Sequence, residues 1–544
     1  MPVAEIIESL NGTPAATPAA AARLRIGFVS LGCPKNLVDS EVMMGMVHQA
    51  GAELTPAAAD ADIIVVNTCS FIDSAKQESV NTILEMVAHK VANGGRAQRL
   101  IVAGCLVERY GDEIRRNIPE VDAVIGTGEL EAILLAAGLT PQPVVSMSPF
   151  HILTAQPVSD VATPPAGDAG DRALIERASS AVRKHSQMDV PEQMSRPEGD
   201  LREQQGRFSR EQWDGATAAL PSYLYNDETP RILTTPRASA YVKIAEGCDH
   251  PCGFCIIPQL RGKFRSRRIS SILAEAENLM RQGVREITLI GQDTTCFGED
   301  LGLRDGLATL LEALATMNVE GIGRIKWLRF LYAYPNKVTT KLLQTIAAHD
   351  NIAKYLDVPL QHASASVLKR MKRGGSGAIF LKLIEKARMM VPAIAIRTSF
   401  IVGFPGETDT EFAELEAFIQ AARIDWLGVF SYSDEEGAAA FDLGEKVAKR
   451  TIETRRRRLM RTQLKISAKA RAAQVGRDVE VLMEGPSEET DLLWQGRTMV
   501  QAPEIDGHVL INDFGDHERL VPGTFYRAVI TEAHDYDVVA RIVE

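Results

Sequence analysis

Three α/β or all-β units in series are what this sequence predicts: a doubly wound parallel sheet, a partial six-stranded βα barrel and a small antiparallel β-barrel. Three observations lead there. The first 140 residues alternate short apolar runs with helical stretches; six more apolar runs, each followed by a helical pattern, start at Tyr241; and beyond Val475 short alternating strands are broken by Gly, Pro and Asp. A chain of 544 residues is too long for one ordinary core, and an apolar fraction of 45% leaves ample material for several.

In the first unit the expected strands are Ile26–Leu31, Ile63–Val66, Leu100–Val102 and Ala123–Ile125, with helices over Asp39–Ala50 and Asp73–Ala92. The pattern then dissolves. Pro157–Asp171 is rich in Pro, Ala, Gly and Asp, and Leu174–Arg210 is charged and poor in apolar residues, too poor to offset its ordering entropy. A largely disordered insertion over 154–230 is expected, with at most a transient helix near Ala173–Lys184. The barrel strands are expected at Tyr241–Ala245, Glu286–Ile290, Lys326–Leu331, Tyr355–Val358, Ile396–Val402 and Trp426–Phe430. Six repeats suit an open barrel, with its chemistry at the C-terminal strand ends. A basic helix containing Arg455–Arg458 follows, for which a solvated face is favoured over a binding patch. The tail strands are Val479–Met483, His508–Ile511, Tyr526–Thr531 and Val538–Ile542. The divisions are 24–142, 154–230, 234–471 and 473–544.

Charge narrows the function. The net charge is −11, and the stretch from Ala473 to Glu544 alone holds five Arg, no Lys and fifteen acidic residues. A nucleic-acid surface is normally basic, so this tail suits a basic partner, or simply confers solubility. No apolar run reaches about 18 residues, so no membrane span is expected. The first 23 residues are Ala-rich and place Glu5 and Glu8 before the first basic residue, Arg23, the reverse of a secretory leader. The expected location is the cytoplasm, with a frayed N-terminus.

Seven cysteines are few for this length, and in reducing cytosol clustered cysteines point to metal or catalysis. Cys248, Cys252 and Cys255 follow a strand in C-x₃-C-x₂-C spacing. A structural zinc would want four ligands, and no fourth is evident nearby; three thiolates favour a four-iron cluster with one iron open to a ligand. Downstream, Ile401, Gly403, Gly406 and Glu407 lie at the end of the fifth barrel strand, where glycine admits close approach to the backbone. Gly291, Gln292 and Asp293 end the second, where polar groups could receive an amino acid's amine and carboxylate.

Cys33, Cys69 and Cys105 are spaced 36 residues apart, and each lies just past an expected strand. A parallel sheet gathers such strand ends along one edge, where its ligand crevice lies. A buried cysteine is otherwise just a small apolar residue, which accounts for one of these but poorly for three. A second three-cysteine site is expected, again without a fourth protein ligand. Cys296 fits no such pattern and reads as a structural thiol.

The C-x₃-C-x₂-C motif with aromatic Phe254 before its last cysteine resembles the radical S-adenosylmethionine superfamily. That resemblance implies that Cys248, Cys252 and Cys255 hold a [4Fe-4S] cluster whose open iron chelates S-adenosylmethionine. It also implies that Phe254, Gly291–Asp293, Ile401 and Gly403–Glu407 line the cofactor site. A three-cysteine group before the radical core and a small β-barrel after it resemble the methylthiotransferases, from about Leu24 to the end apart from the insertion. In that family a second [4Fe-4S] cluster, here on Cys33, Cys69 and Cys105, carries or supplies sulfur, one S-adenosylmethionine generates the radical, and another donates methyl.

Within the family, Gly32–Glu41 (with Pro34-Lys35 where tRNA enzymes tend to have Gln-Met), Asn67–Ile72, Leu331–Pro335, Asp357–His362 and Ala502–Gly507 resemble the branch that modifies the β-carbon of an aspartate in ribosomal protein twelve of the small subunit. The tail resembles the TRAM domain. This implies a basic ribosomal protein as partner, bound mainly through the acidic tail, an electron donor, and no nucleic acid as primary substrate; the alternative is a tRNA adenosine methylthiotransferase.

Overall fold

The structure is a computed structural model, and it describes residues 23–140, 221–236, 238–487, 490 and 492–543. The expected frayed N-terminus, the possible helix near 173–184 and most of the 154–230 insertion lie outside these residues.

The first unit is a five-stranded all-parallel sheet in the order β2-β1-β3-β4-β5. Its strands are β1 (Arg25–Ser30), β2 (Glu53–Thr55), β3 (Ile63–Thr68), β4 (Arg99–Gly104) and β5 (Ala123–Ile125). Strand β3 is buried at every position, as a central strand covered on both faces must be. Helix α1 (Pro34–Gln49) starts five residues before the expected Asp39, because Cys33 takes the N-cap position and Pro34 the first turn, where proline's missing N–H costs nothing. Helix α2 (Asp73–Val87) matches expectation, while β2 and α3 (Cys105–Asn117) were not foreseen. Both escape a reading by apolar runs: β2 has three residues, and α3 is a charged helix that begins directly on Cys105.

The central unit has two parallel three-stranded sheets that follow one another around an open barrel. One holds β6 (Ser239–Lys243), β9 (Glu286–Ile290) and β10 (Trp327–Phe330); the other holds β11 (Tyr355–Asp357), β12 (Ala395–Val402) and β13 (Trp426–Ser431). A single parallel bridge, Leu328 to Ile352, joins them. A short hairpin of β7 (Ala245–Glu246) and β8 (Arg265–Ser266) brackets the cysteine motif. Helices outside the strands share one continuous core that includes Leu289, Leu310, Leu328, Ile396 and Phe400.

The long basic helix, Lys449–Ala472, is largely neutralised where its arginines run together. Arg455 is buried on Glu407 and Asp409, Arg456 and Arg457 share Glu453, and Arg458 meets Glu416.

The tail closes into a five-stranded barrel of β14 (Asp478–Pro486), β15 (Trp494–Arg497), β16 (Val509–Asp513), β17 (Phe525–Ala533) and β18 (Val538–Ile542). Its pairings are antiparallel except β16 with β18. It docks against the first residues of the central strands. Arg497 and Arg329 flank the Glu286 carboxylate at 2.7 and 3.2 Å, Trp327 packs edge-on against Phe525, Tyr355 donates to Asp506 at 2.6 Å, and the Trp426 indole donates to Val500. Burial would raise Glu286, but the two arginines outweigh it and hold the carboxyl down at about 2. The acidic tail therefore sits at the N-terminal rim of the barrel.

Residues 221–236 cross the seam between the first two units without helix or strand, so the last ten residues of the expected insertion are packed. The Tyr225 hydroxyl meets Glu275, and Arg231 bridges Glu41 of α1 and Glu275, both at 2.6 Å.

Candidate active site

The three early cysteines meet because of where their strands end. Cys33 caps α1 just past β1, Cys69 lies just past β3, and Cys105 opens α3 directly after β4. Two side chains tie these ends together. Asn36, fully buried, donates to the carbonyls of Leu31 and Thr68 at 3.0 and 2.8 Å; Asn67 donates back to the Asn36 carbonyl and to Ser40. The Ser79 hydroxyl both accepts from the Cys69 N–H and donates to its carbonyl.

Two glycines permit the approach. At Gly32 (φ +93°) a Cβ would lie 2.7 Å from the Cys69 Cβ, and at Gly104 (φ +96°) 2.3 Å from Asn67 Oδ1. Only glycine tolerates both the backbone conformation and the space. Burial raises the Cys69 thiol and pushes Cys105 up to about 12. At Cys33 burial is outweighed by Lys35, Arg261 and the Asn36 and Lys35 N–H groups, and the net shift is downward.

The second triad is local. Gly247 (φ +81°) turns the chain where a Cβ would sit 2.1 Å from the Lys263 carbonyl. The loop is then fixed by Cys248 N–H to Gly262, Gly253 N–H to Met371, and Ala440 N–H to the Gly253 carbonyl. Burial raises Cys248 to about 12 and Cys255 further still. The Arg373 guanidinium donates to Cys252 Sγ at 3.4 Å, donates to the Pro359 carbonyl, and lies 4.4 Å from the Tyr334 ring. Tyr334 in turn stacks on His250 at 3.9 Å.

The two triads are joined by a buried charge cluster. Arg261, which ends the helix Ile257–Arg261 after the motif, donates to Cys105 Sγ at 3.6 Å, to Asp39 at 2.9 Å, to Glu246, and to Asn36 Oδ1. Lys243 completes the set with Glu246 at 2.6 Å and with Asp39. Burial alone would raise Glu246; Lys243 and Arg261 hold it well below the carboxylate range. Two cations and two carboxylates close a network in which each buried charge has a partner. The loop after β10 also reaches both sides: the Tyr332 ring lies 3.4 Å from Lys35 Nζ, beside Cys33, while Tyr334 faces the second triad.

The other expected site residues divide into two groups. Phe254 and Ile401 join one apolar cluster with Val367, Met371 and Phe404, and Gly291 directly follows β9. Gln292 donates to Glu246, and its Oε1 is shut from solvent with no hydrogen-bond partner, an acceptor awaiting a donor. Asp293, in contrast, is engaged: it accepts from His250 at 2.6 Å, from Thr295, and from the Cys296 thiol at 3.1 Å. Glu407 is likewise committed to its own loop, accepting from Gly403 N–H at 2.6 Å and pairing with Arg455 at 2.8 Å. Gly403 faces Ile452 of the long helix, and Gly406 donates to the Glu445 carbonyl. Arg261, Asn36, Arg373, Tyr332 and His250 were missed as site residues; Asn36, Tyr332 and His250 lay inside quoted motifs, but Arg261 and Arg373 carry no spacing signal.

The donor set can be tested against metals. Among the described residues, the only three His, Cys, Asp or Glu groups whose donor atoms all lie within 4.8 Å of one another are His250, Asp293 and Cys296. Neither cysteine triad is drawn in around one ion, whose tetrahedral ligands would sit about 3.8 Å apart at zinc–sulfur bond lengths. Three thiols on glycine-shaped cradles, with no fourth protein ligand among the described residues, fit a multi-iron cluster with an open corner.

Residues 25–126 match Uncharacterized protein family UPF0004, residues 242–419 the Radical SAM superfamily, and residues 475–543 the TRAM domain. A "Ribosomal protein uS12 methylthiotransferase RimO" of Koribacter versatilis is 62% identical over 95% of this chain and 96% of its own. One of Solibacter usitatus under the same name is 53% identical over 96% and 95%. A radical S-adenosylmethionine methyltransferase structure, TsrM from Kitasatospora setae, aligns over 76% of this chain and 72% of its own at 13% identity and a TM-score of 0.46.

Proposed function

This chain belongs to the family of ribosomal protein uS12 methylthiotransferases, and from that premise we propose how its two cysteine sites divide the work. The chain is a radical S-adenosylmethionine transferase that acts on uS12. In our reading the product is a methylthio group on the β-carbon of an aspartate. Cys248, Cys252 and Cys255 hold one [4Fe-4S] cluster, and Cys33, Cys69 and Cys105 hold a second. When bound, these groups supply a hydrogen-abstracting radical with S-adenosylmethionine at the first site and sulfur at the second, and S-adenosylmethionine supplies the methyl group. An electron donor completes the system. The divisions at 24–142, 234–471 and 473–544 correspond to these tasks, and the cytoplasm is the proposed location; among the described residues no helix is long and apolar enough to cross a membrane.

One observation carries the reading: a buried cluster centred on Arg261 touches Cys105 of the early triad and Glu246, two residues before Cys248 of the late one, which supports two sites working on one substrate. The protein's own residues do the positioning. Gly32 and Gly104 let three strand ends converge, Asn36 and Asn67 hold them, and Arg373 donates to Cys252 as an outer partner that tunes a thiolate ligand. Gln292 Oε1 is a ready acceptor for an ammonium, while Asp293 and Glu407 act through the loops they brace. The acidic tail recruits basic uS12 from the N-terminal rim, the far end of strands about 10–26 Å long.

The test is the mass of uS12 from cells with and without the gene. A methylthio increment that depends on the gene supports the reading; an unmodified uS12, with a methylthio nucleoside lost from tRNA instead, overturns it.

A further inference from the structure

The proposed reaction makes a demand that none of the residues above meets: the substrate side chain is a carboxylate, and its β-carbon must lie between the two triads. Resting on that reading, we propose that Lys35 is the residue that binds this carboxylate, with Tyr332 holding its ammonium in place.

Placement is the first argument. Lys35 lies in the first turn of α1, two residues after Cys33. Its Nζ stands 3.4 Å from the centroid of Tyr332, which follows β10 at the C-terminal strand ends. Two residues on, Tyr334 stacks against His250 inside the other cysteine motif and against Arg373, the donor to Cys252. A ligand held at Lys35 thus has one triad beside it and the other a loop's width away.

Charge is the second. The neighbouring buried cations are already matched: Lys243 and Arg261 with Asp39 and Glu246, Arg231 with Glu41 and Glu275, Arg397 with Asp357. Lys35 has no carboxylate within 4.0 Å among the described residues; what faces it is Tyr332, by ring and hydroxyl, and Cys33. A half-buried ammonium with no carboxylate beside it, only the Cys33 sulfur and an aromatic face that recovers part of its desolvation cost, is under-compensated. Such a group is suited to an anionic ligand.

Strain is the third. Tyr332 adopts φ +65°, an unfavourable conformation for any side chain but glycine's, which persists where surroundings over-determine it and clusters at ligand sites. Here its N–H is pinned by Asp357 at 2.9 Å, and Asp357 is itself fixed by Arg397. The fold thus keeps the ring under the ammonium. A lysine so held selects aspartate over its neutral isostere asparagine.

The test uses reconstituted full-length enzyme with whole uS12 protein and with uS12 whose target aspartate is replaced by asparagine. Lys35→Met should raise KM for uS12 about thirtyfold or more, the low end for losing one partner of a desolvated charge pair. Its 5′-deoxyadenosine formation without uS12, which belongs to the other triad, should stay at the wild-type level, and Lys35→Arg should recover most of the affinity. The asparagine protein, assayed as a competitive inhibitor, should bind the native enzyme about thirtyfold more weakly than uS12, and Lys35→Met should weaken it less than about threefold further, since the contact is already gone. Equal affinity of the native enzyme for both proteins, or additive losses, would overturn the proposal, and the first comparison needs no variant enzyme. Failure of the native enzyme to modify uS12 would instead show the functional reading itself to be wrong.

Discussion

The two cysteine triads are brought together by opposite routes. Cys248, Cys252 and Cys255 lie within one loop, shaped by a turn at Gly247 and by backbone hydrogen bonds from its flanks. Cys33, Cys69 and Cys105 come from three separate strand ends, and they meet only when β1, β3 and β4 are in register. The local site depends on a loop; the assembled site depends on the sheet. A single buried cluster around Arg261 touches Cys105 of the assembled site and Glu246, two residues before Cys248 of the local one. From this contrast follows a graded set of consequences.

The largest effect should come from the residue that the two sites share. Arg261→Gln strips a cation from Asp39 and Glu246, both buried, and breaking such a pair from one side costs about 3–5 kcal/mol. Chemical denaturation should show a loss of that size, and iron content should fall at both sites. Loss at one site only would mean that the cluster is not shared.

Next are the glycines, each confined to one triad. Gly104→Ala meets Asn67 Oδ1 and the Thr68 carbonyl at 2.3 and 2.6 Å in a left-handed backbone; strain of this kind costs about 1–3 kcal/mol before the clash is counted. Iron analysis should show loss of roughly one cluster, with 5′-deoxyadenosine formation retained. Gly247→Ala should do the reverse, sparing the early site and abolishing that activity. Identical phenotypes for the two substitutions would collapse the distinction.

The smallest effect is expected at Arg373, whose side chain touches the late triad alone. Arg373→Gln removes an N–H donor from Cys252 Sγ and, with it, a charge that favours the reduced cluster. Spectroelectrochemical titration should find the radical-site potential lowered and the other site's potential unchanged. A shift in the other direction would remove Arg373 from its assigned role.

How much of this was legible in the sequence follows the same contrast. The late triad was readable from spacing alone, because its residues are neighbours in the chain. The early triad became readable through the strand–cysteine pattern, since a parallel sheet brings its strand ends to one edge. All six central strands were readable as apolar runs; β2, β15 and α3 were not, being too short or too polar to stand out. Arg261 was invisible as a site residue, because an Arg in a sequence gives no sign of whether it finds a carboxylate; Lys35 and Asn36 lay inside a quoted motif, but nothing there assigned them a role. The glycines at 403 and 406 were expected to admit a ligand, yet Gly403 faces Ile452 and the loop is closed by Glu407. Sequence marks where backbone freedom is needed, not what fills the space. The acidic tail was legible as charge, but its docking at the N-terminal rim through Glu286, Arg497 and Trp327 depends on packing that no local pattern carries.

The division of labour is tested most directly by assaying Cys105→Ala and Cys252→Ala side by side for 5′-deoxyadenosine and for methylthio-uS12. The account predicts that Cys105→Ala still forms 5′-deoxyadenosine at a rate within about tenfold of the native enzyme but yields no methylthio-uS12, whereas Cys252→Ala yields neither. Equal loss of 5′-deoxyadenosine in both variants would contradict it.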